Sequence, residues 1–529
     1  MPRIVFENLG RYGIIHDRQP HVLPYEAWSG GNNVRFYEDS VQRMLGHSLA
    51  WTPTVDPWWL LPVQTPSTVY WVYANATDVY VVDQSGTSTE ISRTVGGNYA
   101  ADFQIGWNGG ILNSIPVLNN GVDVPQMWNP QTAGTALVAL TAWPAGYQAR
   151  VVRPLRNFLV ALDITKSGTR YPHNILWSHS ALPGAVPSSW DTADATKDAG
   201  EVPVAETPGV CIDLVPLRDV GIVYKEDSTW IMQHVGGTTV FKLSRLSRFG
   251  GLLSRNCARP FNKDGEKHFA VTKDDVMVHD GQNTISVIDG RMRRWLFNQI
   301  DSTNYQRTHV FINATKNELG IAIPTGAQCT VAALWNYKTD RWGIRELPSV
   351  NYVESGIINP TAQALTWDTD GQTWDSDTST WDERTFGPVS DRWLMGVPGA
   401  SRSLFMGDDT NQFNGVAFTS YVERVGLAII GQDREGNPKY DLNSYKLCTE
   451  IWPRVEAIAG TVVQISVASQ NEPNDPIAWT GPFVFTVGTD KKVNPMVGGK
   501  LLGVKFAFPS NAQVKFNGFD MELVITGKY

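Results

Sequence analysis

Apolar and polar residues alternate in short runs along most of this chain, and Gly, Asp and Asn break the runs. The pattern is clearest from Gly221 to Ile300. There Ile222 and Tyr224 fall two apart, a Lys-Glu-Asp-Ser turn follows, and Trp230 and Met232 resume the spacing. Phe269 and Val271 stand in the same relation to Val276 and Val278 around Lys273-Asp274-Asp275. Period two between tight polar turns predicts β-hairpins. The stretch holds strand for about two small sheets, and a lone four-stranded sheet cannot bury either face. Similar sheets must stand beside it, as in a propeller.

The same plan recurs on both sides of this stretch. TVYWVYAN turns at Asn75 to Asp78 into VYVVDQSG, Asn119-Asn120-Gly121 turns another pair, and ARVVRPLRNFLVAL repeats the alternation. Further on, Trp335-Asn336-Tyr337, a turn at Lys338-Thr339-Asp340 and then Trp342 read as an outer hairpin whose aromatic residues pack one blade on the next. No segment shows convincing helical periodicity. At roughly 40 to 50 residues per blade, the pattern predicts an all-β fold with a β-propeller of about six or seven blades over residues 51–400. From 401 to 529 the strands lengthen (KLCTEIWPRV, TVVQISVASQ, KLLGVKFAF, FDMELVITGKY), which predicts a C-terminal β-sandwich-like domain. Residues 1–50 read as a polar, Pro-punctuated segment followed by a first hairpin, a candidate docking platform.

Composition narrows the class. Charged residues make up only 18% of the 529 positions while hydrophobic residues make up 42%, as expected of a surface covered in part by copies or partners. The 20 Trp, 47 Gly and 31 Pro favour turn-rich β structure over helix. A net charge of -8 argues against a protein that grips nucleic acid, which needs clustered Lys and Arg, yet it suits a wall past which a polyanion slides. Cys211, Cys257, Cys329 and Cys448 show no paired spacing and read as buried apolar residues of a chain folded in a reducing compartment. No apolar leader and no membrane-length run is visible, so a cytoplasmic site of synthesis and no membrane span are expected.

One short repeat lies inside the propeller region, in a ribbon inserted at 365–386. Trp367, Trp374 and Trp381 stand seven residues apart, each followed by Asp. Gly, Thr, Ser and Asp between them forbid a stable coiled coil, so an extended ribbon is expected. Asp368, Asp370, Asp375 and Asp377 offer oxygen ligands of the kind Ca²⁺ takes. Their spacing matches no EF-hand loop, and solvated aspartates need no metal, so neither metal nor cofactor is assigned.

Trp28, Asn33-Val34-Arg35-Phe36, an acidic turn, Val41, Arg43 and Gly46 together resemble the amino-terminal signature of tail nozzle and packaged-DNA stabilisation proteins, the tail-tube proteins of short-tailed bacteriophages. Phe516-Asn517-Gly518-Phe519-Asp520 with Met521, Leu523 and Ile525 is similar to the final strands of that family, and the intervening blades and WDxD ribbon follow in the same order. The resemblance implies a virion structural protein made and assembled in the host bacterial cytoplasm. It forms a ring of six copies that extends the tail tube below portal and adaptor, retains the packaged genome and conducts double-stranded DNA at ejection. The adaptor ring is then a partner, with attachment of tail fibres or tailspikes left open. The residues that matter under this reading are structural: Trp28, Arg35 and Arg43 in the opening hairpin, Trp335 and Trp342 in a blade, and Trp367, Trp374 and Trp381 in the ribbon.

No common catalytic constellation is present: G-x-S-x-G, H-E-x-x-H, a P-loop and a Rossmann glycine motif are all missing from the sequence. The competing reading is a propeller that binds or hydrolyses host surface glycans. Asp370-Gly371-Gln372-Thr373-Trp374 is similar to the Asp-box turns of sialidases, although its Asp adjoins the Gly, and exposed tryptophans stack on sugars. No enzyme activity is assigned.

Overall fold

The computed structural model describes residues 3–528 except 38, 66–67, 238, 247–249, 359–390, 434 and 436. The hairpins read from Ile222 to Val278 form as expected. Val220–Lys225 pairs with Thr229–His234, and Glu266–Val271 pairs with Val276–His279, each across a polar turn. Each belongs to an antiparallel four-stranded sheet in simple meander order, and the described residues form seven four-stranded sheets. They are blades 1 (59–90), 2 (108–139), 3 (147–203), 4 (211–245), 5 (258–286), 6 (309–350) and 7 (352–407, with His47–Trp51). The first strand of each blade lies beside that of the next, and Tyr352–Ile357 of blade 7 returns to Trp59–Gln64 of blade 1, which closes the ring. The protein is thus an all-β molecule built on a seven-bladed β-propeller.

Closure of the ring departs from the expected boundaries. The outer strand of blade 7 is His47–Trp51, pairing Leu49 with Phe405, so the propeller takes residues from the segment read as a separate platform. The rest of that segment is built into the sandwich. Arg3–Phe6 and Ser40–Arg43 both pair with the long last strand Lys515–Lys528, and Gly30–Asn32 pairs with Ser420–Leu427. The sandwich is therefore made from both ends of the chain, and its first C-terminal strand is Ser420–Leu427 rather than one near 401. Phe506 of one sheet meets Phe516 and Phe519 of the other at 4.5 and 4.9 Å between ring centres, which fills the space between the layers.

An α-helix, Arg293–Gln299, connects blades 5 and 6 where the alternating pattern predicts strand. Leu296 is its one fully buried residue, and the partly buried Trp295 and Phe297 pack against the same core. The four cysteines are buried free thiols, and burial pushes each thiol up to about 12. Among the described residues no helix is long and apolar enough to cross a membrane.

Candidate functional site

Charge gathers inside the molecule at the seam where propeller meets sandwich and at the propeller axis.

At the seam, the hairpin of Val34–Tyr37 and Ser40–Arg43 lies against blades 6 and 7. The Arg35 side chain is 12% exposed and donates to Glu318 Oε1 at 2.7 Å and to Asp408 Oδ2 at 2.5 Å. Asp408 follows the third strand of blade 7, and Glu318 opens the second strand of blade 6. Arg345, 1% exposed, donates to Asp408 Oδ1 at 2.7 Å, and Asn313 donates to Oδ2 at 2.7 Å. Burial alone would raise the Asp408 carboxyl, but the guanidinium charges of Arg35 and Arg345 outweigh it and hold the group at about 2. Glu318 shifts the other way, because its burial outweighs the attraction of Arg35.

Arg43 completes the seam without a counter-ion among the described residues. Its guanidinium lies 4.0 Å from the ring centre of Phe418 and donates to the carbonyls of Asn411 and Phe418 at 3.1 Å. Desolvation pulls it down to about 10. Three residues on, the chain passes so close to the 408–418 linker that a Cβ at Gly46 would stand 2.0 Å from the Gln412 carbonyl oxygen, so only glycine fits. The Gly46 carbonyl in turn accepts from Arg345 at 3.1 Å.

The aromatic residues singled out in the sequence take three different positions. Trp28 sits between the sandwich sheets, edge-on to Phe506 at 6.5 Å, with its Nε1 donating to Leu9 O at 2.8 Å. Trp335 of blade 6 stacks on Phe269 of blade 5 at 5.5 Å and meets Phe261 edge-on at 5.9 Å. Trp342, opposite it in the hairpin, donates to Val287 O at 2.9 Å, and its own carbonyl accepts from the Ile14 N–H. Trp335→Ala is expected to cost about 3–5 kcal/mol, because it empties a blade-to-blade contact. A melting curve indistinguishable from the parent would remove that role. Trp367, Trp374 and Trp381, with Asp368, Asp370, Asp375 and Asp377, lie outside the described residues.

The axis was not visible in the sequence. Arg153, on the inner strand of blade 3, makes a two-pronged pair with Asp213 of blade 4 at 2.8 and 3.0 Å. It also donates to Gly109 O of blade 2 at 2.8 Å and to Asn256, ahead of blade 5, at 2.7 Å. One side chain meets three other blades only where their inner strands converge. Arg259 of blade 5 similarly donates to Val310 O of blade 6 and pairs with Glu354 of blade 7. Arg307, before blade 6, lies 3.2 Å from the ring centre of Phe103, which belongs to the connection between blades 1 and 2. The signal was present as Arg150, Arg153, Arg255 and Arg259 near the starts of inner strands, but nothing short of ring closure brings them together.

Fold and clusters together define a propeller–sandwich protein, sealed at its seam by buried ion pairs and lined with arginine at its axis. No family model matches the chain, and no curated protein matches it. Among solved structures it is similar to the β-propeller domain of Cps50 (Swd1) from Myceliophthora thermophila, at 9% identity and TM-score 0.36 over 59% of this chain and 91% of that one. It is also similar to the WD40 propeller of Doa1 (8% identity, TM-score 0.35, 69% and 97% covered) and the WD40 domain of Toxoplasma gondii coronin (6%, 0.34, 69% and 83%). These likenesses extend no further than the propeller architecture.

Proposed function

We propose that this protein is a structural, non-catalytic subunit of a short-tailed phage tail nozzle. Six copies form a ring below portal and adaptor, retain the packaged genome and conduct DNA at ejection. The observation that carries this reading is the dual place of the opening hairpin. Arg35, Arg43 and Gly46 carry the family resemblance, and the same residues clamp the hairpin to blades 6 and 7 and to the linker after blade 7. A tube subunit that bears internal pressure needs its domains to move as one body, and a buried clamp between them supplies that.

Two further features support the reading. The sandwich edge strand Ala478–Thr486 leaves Trp479 and Val484 exposed, apolar surface of the kind that subunit contacts cover. A net charge of -8 suits a conduit that must let DNA pass without holding it.

The test is the mass of the purified protein, alone and with the candidate adaptor ring, followed by negative-stain imaging. A hollow six-fold ring is the expected result. A persistent monomer that ignores the adaptor and binds polysaccharide would overturn the proposal in favour of a glycan-binding propeller.

A further inference from the structure

We propose that the mouth of the propeller axis, where Arg255 lies beside Arg150 and Arg153, is a binding site for a small oxyanion of the phosphate or carboxylate class. The protein as a whole is acidic, with a net charge of -8, so a concentration of arginine at its axis is not a consequence of composition. The guanidiniums on the inner strands of blades 3 and 5 have carboxylate partners, while Arg307 donates to the Ala327 carbonyl and to Asn351. Arg153 is matched by Asp213 and Arg259 by Glu354, while Arg150 lies 3.8 Å from Asp163, which also pairs with Arg170 at 2.6 Å.

Arg255 differs. Among the described residues no carboxylate lies within ion-pair distance of it, and its hydrogen bond is from Nη1 to the Arg150 carbonyl at 3.1 Å. That bond carries the side chain from the start of blade 5 to the inner strand of blade 3 and sets its charge beside two like charges. Burial pulls the group down to about 10, with the attraction of Asp213 and Asp163 opposing it and the repulsion of Arg153 and Arg150 adding to it.

A guanidinium presents five N–H donors in a planar fork, and the Arg150 carbonyl occupies one. The remaining donors suit an acceptor with two adjacent oxygens, which a phosphate or carboxylate offers and a chloride ion does not. Arg255 is half-buried, and its bond to the Arg150 carbonyl lies where solvent reaches. The site uses no residue of the seam and stands independently of the tail reading.

The full-length protein in chloride buffer is titrated with inorganic phosphate and, separately, with citrate at constant ionic strength, read by calorimetry and by melting temperature. A saturable rise in melting temperature with one of the two is expected, and whichever acts identifies the anion class. In Arg255→Gln, binding is expected to weaken roughly tenfold or more, the loss of a charged hydrogen-bonded contact. The same variant in plain chloride is expected to melt no lower than the parent, because it removes a cation crowded by others. Arg255→Lys, which keeps the charge and loses the fork, is expected to bind several-fold more weakly than the parent. The proposal is overturned if neither anion acts beyond chloride. It is equally overturned if the rise is linear and the same in Arg255→Gln, which is general exclusion from the protein surface, or if Arg255→Lys binds as the parent does.

Discussion

Replacing Asp408 with alanine is expected to destabilise the protein by about 3–5 kcal/mol, the largest single effect at the seam. The carboxylate accepts from Arg35, Arg345 and Asn313 at once, and both it and Arg345 are 1% exposed. Its removal strands two guanidiniums away from water with only Glu318 left to answer Arg35. The cost therefore comes from the charges left behind more than from the bonds lost. An Asp408→Leu, Arg345→Met double variant removes charge of both signs together and is expected to recover much of the loss. Urea denaturation of the three proteins checks this. If Asp408→Ala alone unfolds at the parent midpoint, the network is not what holds hairpin and blades together.

Acidification between pH 6.5 and about 4 is expected to weaken the fold before the buried Asp408 carboxylate begins to titrate. Burial pulls His47, His268 and His309 down to about 4 and, with the charge of His268 added, His279 to about 3. Their surroundings show why the neutral form is required. His309 donates from Nδ1 to Arg307 O at 2.9 Å and accepts at Nε2 from the Val353 N–H at 2.9 Å, so a second ring proton would face a donor. The Tyr224 hydroxyl bridges His268 Nδ1 and His279 Nε2 at 2.8 and 2.7 Å, a chain that two neutral rings satisfy. His47 packs against Phe405 and Phe413 beside Arg345.

Below pH 6.5 the unfolded chain binds protons that these folded sites refuse, so stability falls with pH and the loss levels off below the folded values. At pH 5 each histidine accounts for about 2 kcal/mol. The Asp408 contribution is lost only lower, below the ordinary aspartate value, because its folded group is held down. Melting temperature followed from pH 7 to 4.5 should decline through this window. A flat profile down to pH 5 would mean that the histidines accept protons without cost.

Strand and turn were legible in the sequence wherever alternation met a polar turn, as at Tyr224 to Trp230 and Val271 to Val276. The blade count was less so, because blades are unequal. The outer strands of blade 2, Gln126–Met127 and Val138–Ala139, are two residues long, while three strands of blade 3 run to nine. The helix at Arg293 escaped notice because its 7 residues are too few to show a helical period. The seam was half legible: Arg35 and Arg43 stood out, but the partners of Arg35 are more than 280 residues away and sit in strings, NELGIAIP and GDD, that read as ordinary strand and turn. Pairings of that range are set by ring closure, which no local pattern encodes.

The way blade 7 is finished also shapes how the protein comes into being. Leu49 leaves the ribosome roughly 350 residues ahead of its partner Phe405. At ordinary elongation rates of about 5–20 residues per second, that is a delay of roughly 20–70 s. Throughout it, the strand that closes the circle waits unpaired, and the hairpin ahead of it waits longer still for Lys515–Lys528. Blades can form one after another as they emerge, but the circle is joined only once Ser403–Gly407 of blade 7 has emerged. A nascent chain of this design has a long exposure to wrong edge partners and to neighbouring copies, so its yield in a cell is governed by chaperone capacity and translation speed as much as by the stability of the finished molecule.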